Sequence, residues 1–283
     1  MLYLNDYKNV ATTAANIRIL ALQAIYSVGS GHVGGSLSIA DALAVLYGKV
    51  LDVDFNNPRH PQRSQLVVSK GHCGPAVYVA LALEDFFPAQ DLVNMNRPMT
   101  TLPSHCDRLK TRGVDMTTGS LGQGASTACG IALSQKLHKY DGVKTYLILG
   151  DGECNEGQVW ESFQFAAKHN LHNLITLVDW NKKQLDRPTE DISGVCNFEE
   201  KFKAFGYNAV TIDGHDIHDI YDAITMAQET VDKPTAIILD TVKGKGFKKA
   251  EEEPNNHSMP ITEDDFKAAV KEIQENLQKQ LSA

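Results

Sequence analysis

A single carboxylate, Asp151, lies between two glycines where an apolar run ends and a helix-like pattern begins. About thirty residues later, a second apolar run ends at Asp179 and Asn181. One carboxylate and one amide oxygen form an oxygen-only site, which Mg²⁺ accepts when phosphate oxygens and water complete its octahedron. The glycines and the backbone N–H groups at the helix start allow a phosphate to approach closely. These features predict a metal-bridged diphosphate site, although Asp151 taken alone would also suit a turn or an N-cap.

The two side chains can converge only if both apolar runs belong to one parallel sheet. Five short, uniformly apolar segments are predicted as strands: 65–69, 145–150, 174–179, 208–212 and 235–241. Segments with helical periodicity separate most of them: 16–28, 38–48 (ending at a Gly48 C-cap), 75–87, 125–140, 158–170 and 218–231. This alternation predicts an α/β fold with a mostly parallel sheet and helices on both faces. Ligands bind beyond the carboxyl ends of such strands, so Asp151 and Asn181 are expected at the same sheet edge.

The remaining segments complete the predicted organisation. Residues 96–124 form a long loop rich in turn formers, and such loops tend to carry function. An amphipathic segment at about 261–281 predicts a final helix, with Thr262 as N-cap and Asp265 three residues on, packed on the domain or on a partner. No linker divides the sequence, so we expect residues 1–283 to form one domain.

Composition excludes several classes of function. The net charge of −8 and the pI near 5.7 argue against general binding to nucleic acid or anionic membranes. No apolar run reaches membrane-spanning length, and the N-terminus lacks the layout of a secretory signal. The five cysteines are widely spaced without a C-x-x-C pair, so neither a disulfide framework nor a zinc site is expected. We therefore expect reduced thiols and a cytoplasmic location.

Two other polar patterns have simpler interpretations. Residues 29–34, GSGHVG, match the dinucleotide-binding pattern G-x-G-x-x-G letter for letter. The segment before them has helical rather than strand periodicity, so the required strand–turn–helix context is missing. His215 and His218 lie beside Asp216 and Asp219 at a predicted helix start, and we expect both histidines at the surface.

The segment GDGECNEGQVWESFQFAAKHNLHNLITLVDWNKKQLD resembles the signature of thiamine diphosphate enzymes, and its NEG, WES and NLI groups resemble transketolases. The similarity extends through SGHVGGSLSIADALAVLY, VVSKGHCGPAVYVAL, VDMTTGSLGQGAS and VDKPTAIILDTVKGKG. It covers nearly the whole chain, but only the N-terminal, diphosphate-binding domain of a transketolase. The resemblance implies thiamine diphosphate with Mg²⁺ (or Ca²⁺ or Mn²⁺ in its place). It also implies transfer of a two-carbon ketol unit from a ketose to an aldose, both expected to be phosphorylated.

The resemblance also implies which residues bind the cofactor. The side chains of Asp151 and Asn181 and the backbone carbonyl of Lys183 would bind the metal. The N–H of Gly152 would meet the diphosphate. Further residues expected along the cofactor or near it are His72, Leu121, Gly122, Glu156 and His257.

The catalytic roles implied by the resemblance belong to histidines. His32 and His105 match residues that hold the hydroxyls of the donor ketose and move protons, roles that imidazole suits near pH 7. His257 is expected to serve both in catalysis and in cofactor binding. Departures from the family pattern, such as GHVGG for Gly-His-Pro-Gly and Arg187 in place of a glycine after Asp186, bear on donor specificity more than on cofactor binding.

The implied active site is incomplete in this sequence. In the family, the glutamate that activates the aminopyrimidine and most ligands of the substrate phosphate come from a pyrimidine-binding domain. We therefore expect a second subunit with pyrimidine-binding and C-terminal domains, an α2β2 assembly, and Glu156 at the subunit boundary. The alternatives are a subunit of another thiamine enzyme (related to deoxyxylulose-phosphate synthase or to a 2-oxoacid dehydrogenase α chain) and a non-catalytic partner that kept the fold.

Overall fold

Strands occupy the centre of the computed structural model, which describes residues 2–194 and 197–282. The strands in these residues are β1 (Ser30–Gly31), β2 (Gln65–Val68), β3 (Thr145–Gly150), β4 (Leu174–Trp180), β5 (Lys183–Gln184), β6 (Arg187–Pro188), β7 (Asn208–Asp213), β8 (Thr235–Asp240) and β9 (Met259–Pro260). Five of them form an entirely parallel sheet in the order β2-β3-β4-β8-β7. The antiparallel pairs β1–β9 and β5–β6 lie outside it.

The register of the sheet brings the predicted metal ligands to one edge. Gly150, the last residue of β3, pairs with Asp179 near the end of β4. Asp151 follows Gly150 directly, and Asn181 lies just beyond the last residue of β4. The prediction that both side chains emerge at the same sheet edge is therefore confirmed.

Helices cover the sheet. Those in the described residues are α1 (Leu4–Val28), α2 (Gly34–Ser38), α3 (Ala40–Val45), α4 (Gly74–Leu83), α5 (Gln123–Leu137), α6 (Gly157–Lys168), α7 (Thr189–Ser193), α8 (Phe198–Ala204), α9 (Ile217–Glu229), α10 (Lys248–Glu252) and α11 (Glu263–Ser282). None combines the length and apolar character that crossing a membrane requires.

Alternating side chains of each strand pack into two separate cores. In β3, Tyr146 and Ile148 join a core built with α1, α3, α4 and α9, whereas Leu147 and Leu149 join a core built with α5, α6 and α8. Because both faces of β2, β3, β4 and β8 are buried, these strands consist of largely apolar runs, whereas the edge strand β7 is only partly buried. The predicted fold class, a parallel α/β sheet with helices on both faces, is confirmed.

Some predicted boundaries are wrong for identifiable reasons. Gly48 is not a helix C-cap, because helical turns continue over Leu46–Val50 and the N–H of Leu51 donates to the carbonyl of Leu46 at 2.7 Å. The helix α1 starts twelve residues earlier than predicted, since small residues such as Ala11 and Ala14 extend its buried face. The predicted cap of α11 is confirmed: the N–H of Asp265 donates to Thr262 Oγ1 at 3.2 Å.

His215 is not the surface residue that was expected. Its Nδ1 lies 2.8 Å from Asp41 Oδ2, and the N–H of Val242 donates to its Nε2 at 2.9 Å. Because Nε2 accepts, Nδ1 carries the proton and donates to Asp41. Asp41 is also held by both terminal nitrogens of Arg18, so His215 completes a largely buried polar network.

The cysteines contribute to packing. Cys73, Cys106 and Cys129 are buried free thiols, and burial raises the pKa of each. Cys154 is buried as well, whereas Cys196 lies outside the described residues.

Candidate active site

A cavity of about 280 Å³ opens at the carboxyl edge of the sheet. Its walls include ten of the eleven predicted site residues: His32, His72, His105, Leu121, Asp151, Gly152, Glu156, Asn181, Lys183 and His257. The remaining one, Gly122, lies directly behind the wall, where its left-handed backbone (φ 82°) lets the N–H donate to Glu153 Oε1 at 2.8 Å. The site residues predicted from distant sequence segments therefore lie together around one cavity.

Asp151 is buried and held by backbone donors. The N–H groups of Gly152 and Lys182 donate to its two oxygens, each at 2.7 Å, and only 2% of the residue is exposed. Burial, and then the neighbouring Asp179 carboxylate, raise the pKa of Asp151 to about 7. A cation beside this carboxylate would favour its charged form, so its surroundings suit a metal ligand.

The amide of Asn181 has a defined orientation. Its Nδ2 donates to Asp179 Oδ2 at 2.7 Å, and its Oδ1 accepts from the N–H of Lys183 at 3.1 Å. A carboxylate can only accept, so Asp179 fixes which end of the amide is oxygen. The side-chain oxygens of Asp151 and Asn181 and the backbone carbonyl oxygen of Lys183 are hard ligands. Such ligands suit Mg²⁺ when phosphate oxygens complete its coordination. In the described parts of the chain, no cluster of three or more His, Cys, Asp or Glu side chains offers an alternative metal site.

An ion pair at the base of the cavity was not predicted. Lys70 Nζ lies 2.5 Å from Asp179 Oδ2, and both side chains are almost completely buried. Burial alone would raise the pKa of Asp179 and lower that of Lys70, but each partner reverses this effect in the other. Ser38 and Thr241 donate to the same carboxylate at 2.7 and 2.5 Å. A charged pair therefore stabilises the floor of the cavity. The only sequence feature that could have indicated this pair is the lysine at the end of the apolar run QLVVSK.

Four histidines form one wall. His32 lies at the centre, with ring centroids 5.4, 5.3 and 5.2 Å from those of His72, His105 and His257. The β1–β9 pairing, which joins Gly31 to Met259, brings His32 and His257 together although they are far apart in sequence.

The electrostatics of this wall favour neutral imidazoles. Burial lowers the pKa of His105, and burial with nearby Lys70 lowers that of His72. Burial, then the charges of His105 and Lys243, lower the pKa of His32 to about 4. Burial and Lys243 lower that of His257 to about 4 as well. Near pH 7 each ring can therefore donate through one nitrogen and accept through the other.

Two further residues of the site were also missed. Lys243 is buried, and its Nζ donates to the carbonyl of Leu185 at 2.6 Å and lies 3.4 Å from His257 Nδ1. Burial and repulsion from Lys70 lower the pKa of Lys243 to about 8. Glu153 connects the strand end to the 96–124 loop, accepting from Ser69 Oγ at 2.5 Å as well as from Gly122. Both residues lie inside the segments that carry the resemblance.

The family profile described as the thiamine diphosphate-binding domain of transketolase matches residues 10–281. The chain belongs to the transketolase family. This result confirms the predicted resemblance, and it confirms thiamine diphosphate as the cofactor of the matched domain. The cavity, with the oxygen donors Asp151 and Asn181 and the polar side chains of His72 and His257 in its walls, fits that cofactor.

Similar proteins include single subunits and whole enzymes. The chain is 47% identical to the 6-deoxy-6-sulfo-D-fructose transketolase subunit SqwG of Clostridium sp. (strain MSTE9), over 91% of this chain and 94% of that protein. It is 31% identical to an apulose-4-phosphate transketolase subunit of Phocaeicola vulgatus, over 91% of each. Human transketolase is 33% identical over 94% of this chain, which spans only 42% of that enzyme.

Solved transketolase structures also match this chain over nearly its whole length, but over less than half of their own length. The transketolase of Campylobacter jejuni superposes with a TM-score of 0.88 at 28% identity, covering 99% of this chain and 46% of that one. A transketolase mutant from Pichia stipitis gives a TM-score of 0.87 at 27% identity. Both comparisons confirm the fold. None of these relatives favours the alternative thiamine enzymes.

Proposed function

We propose that this chain is the N-terminal, thiamine diphosphate-binding subunit of a two-chain transketolase. The observation that supports this proposal most is that four histidines line the same cavity as Asp151 and Asn181. The near full-length match to two proteins named as transketolase subunits supports the two-chain arrangement. The reaction is the transfer of a two-carbon ketol unit from a ketose to an aldose.

The residues that would hold the cofactor follow from the geometry of the cavity. Asp151, Asn181 and the Lys183 carbonyl would hold Mg²⁺, whose charge would offset that of the diphosphate. Gly152 would face the diphosphate, and a Cβ there would lie only 2.8 Å from Gln184, which leaves room for glycine alone. When bound, thiamine diphosphate supplies the nucleophile and the electron sink that the reaction needs.

The polar wall would orient the sugar and move protons. His32 and His105 would bind hydroxyls of the donor ketose, and a neutral imidazole can accept one proton while donating another. His257, beside Lys243, would serve both in catalysis and in cofactor binding. Lys243, whose pKa is about 8, remains largely protonated at pH 7 and would balance negative charge from the diphosphate.

The exposed rim of the active-site cavity is where a partner subunit would bind. Glu156 is exposed there, and Leu121, with 39% of its surface exposed, lies on the same wall. A partner with pyrimidine-binding and C-terminal domains would cover this rim in an α2β2 assembly. Its activating glutamate would meet Glu156.

The donor is proposed to be a ketose with a terminal anionic group. The relative at 47% identity is named for 6-deoxy-6-sulfo-D-fructose, whereas human transketolase is only 33% identical. We therefore propose 6-deoxy-6-sulfo-D-fructose as the first donor to compare with fructose 6-phosphate.

The test is ketol transfer measured with the purified chain, the candidate partner subunit, and both together, with thiamine diphosphate and Mg²⁺. Only the mixture should be active, and Asp151→Ala should lower its rate at least ~100-fold, since even weakening the support of a metal ligand has effects of that size. Glu263→Ala, a fully exposed change on α11, is the control and should have no effect.

Full activity of the chain alone would exclude the two-chain enzyme. Preference for pyruvate over ketoses would favour another thiamine enzyme. If calorimetry detects cofactor binding in the mixture but no sugar is turned over, the chain would be a non-catalytic partner.

A further inference from the structure

A second cavity, of about 240 Å³, lies at the opposite end of β2 from the active site. Gln65, the first residue of β2, lines it, whereas Lys70 and His72 beyond the last residue of β2 line the active site. A strand rises about 3.3 Å per residue, so the length of β2 alone separates the two ends by roughly 10 Å. The cavities share no lining residue.

This second cavity is strongly basic although the chain is acidic overall. It is lined by five cationic side chains and one carboxylate, and we call it the basic cavity: Arg59, Arg63, Arg108, Lys110, Arg112 and Asp115. The chain as a whole has a net charge of −8. The basic cavity therefore concentrates positive charge on a chain whose overall charge is negative.

The single carboxylate is already fully engaged. Asp115 pairs with both terminal nitrogens of Arg63 and accepts the N–H of Leu66 at 2.8 Å. In the described residues, no salt bridge involves any of the other four cations. These four positive charges are therefore unpaired among the described residues, and all four side chains are exposed and accessible to an anion.

The cavity has a firm floor. The buried Thr111 donates to the carbonyl of Thr101 at 2.5 Å, which ties the loop 107–115 to the preceding segment. Gly113 (φ 90°) packs so closely on Leu81 and Phe86 that a Cβ would lie 2.5 Å from the Phe86 ring. Because this backbone is anchored in the core, the cationic side chains project from a defined platform.

The arginines also keep free donors. Arg59 uses Nη2 to reach the carbonyl of Arg108 at 3.2 Å, and Arg112 uses one nitrogen on the carbonyl of Phe55. Each guanidinium has five N–H groups in a planar fork, which matches the oxygens of a phosphate. The side chains of Arg108 and Lys110 are exposed and form no hydrogen bond among the described residues.

We propose that the basic cavity binds a small phosphorylated metabolite through its phosphate group. The planar guanidinium groups match the oxygens of a phosphate, so the phosphate is the group that the cavity would recognise. The ligand would rest on the loop that leaves the active site at His105 and returns to it at Gly119. The N–H of Thr118 closes that loop by donating to the carbonyl of Cys106 at 3.0 Å.

The test is calorimetric titration of the full chain with glycerol 3-phosphate, with inorganic phosphate and glycerol as comparison probes. Arg108→Ala combined with Lys110→Ala should weaken glycerol 3-phosphate binding about tenfold or more, because hydrogen bonds to ionised groups are lost. Lys248→Ala with Lys267→Ala removes the same charge from exposed positions and should leave binding unchanged. Lys243→Ala, which alters the active site, should also leave it unchanged.

Several results would overturn the proposal. Equal weakening in both double variants would indicate nonspecific charge attraction, and loss of binding in Lys243→Ala would place the ligand in the active site. Inorganic phosphate binding as tightly as glycerol 3-phosphate would reduce the cavity to a simple anion site. Loss of binding on adding the partner subunit would assign the cavity to a protein contact. Circular dichroism of each variant checks that the fold is intact, and none of these measurements depends on ketol transfer.

Discussion

The buried pair of Lys70 and Asp179 is expected to contribute strongly to stability. Asp179→Ala would remove the acceptor of four hydrogen bonds, which come from Lys70, Ser38, Thr241 and Asn181. Removing one member of a buried ion pair leaves an uncompensated charge and costs about 3–5 kcal/mol of unfolding free energy. That is a large fraction of the roughly 5–15 kcal/mol by which a domain is stable.

The chain contains a matched control for this change. Lys182 and Asp240 form another Lys–Asp pair near the same sheet edge, but 46% of each side chain is exposed. Exposed pairs contribute about 0–1 kcal/mol, because water screens the charges and the side chains lose entropy. Asp240→Ala should therefore be nearly neutral, and the two variants should differ by at least ~2 kcal/mol.

The measurement is urea unfolding of each variant, followed by the fluorescence of Trp160 and Trp180. With a denaturant slope of about 3 kcal/mol per M, the midpoint should fall by roughly 1–1.7 M for Asp179→Ala and by less than ~0.3 M for Asp240→Ala. If Asp179→Ala does not fold, Asp179→Asn keeps the shape but also leaves the Lys70 charge uncompensated, and it should still lose about 3 kcal/mol. Equal midpoints for the Asp179 and Asp240 variants would refute the reasoning.

Two further predictions concern pH and packing. His32 and His257 have a pKa of about 4 in the folded chain against an ordinary 6.5, so the unfolded chain binds more protons between these values. The stability that these two neutral rings contribute above pH 6.5 should therefore be lost towards pH 4, whereas the raised pKa of Asp151 acts in the opposite direction. Relative to the unaltered chain, His257→Gln should lose less stability between pH 7 and pH 5 in urea unfolding, and an equal change in both proteins would contradict this prediction. Gly71→Ala should lower stability by about 1–3 kcal/mol, since its Cβ would lie 2.6 Å from the Thr118 backbone. Gly130→Ala, with open space inside α5, should raise stability by about 0.5–1 kcal/mol, and melting temperatures that move together would refute the distinction.

The five strands of the parallel sheet were predicted to within one residue, and burial on both faces makes four of them largely apolar runs. The two-residue strands β1, β5, β6 and β9 were not predicted, because they are too short to show a pattern. Helix boundaries were harder, since a boundary depends on which groups cap the last turn. Gly48 illustrates this difficulty: a glycine after an apolar helix usually stops it, yet the turn over Leu46–Val50 continues and closes on Leu51.

The amino-acid pattern by itself determined the ends of the sheet strands, the position of Asp151 and Asn181 at one sheet edge, and the family. Only the tertiary structure decided which charges are buried together: Lys70 meets Asp179 across 109 residues, and His215 meets Asp41 across 174. Local periodicity reports the face on which a residue lies, but not its neighbours from distant segments. The pKa of a side chain depends on those neighbours and on lost water, and both are set when the layers pack.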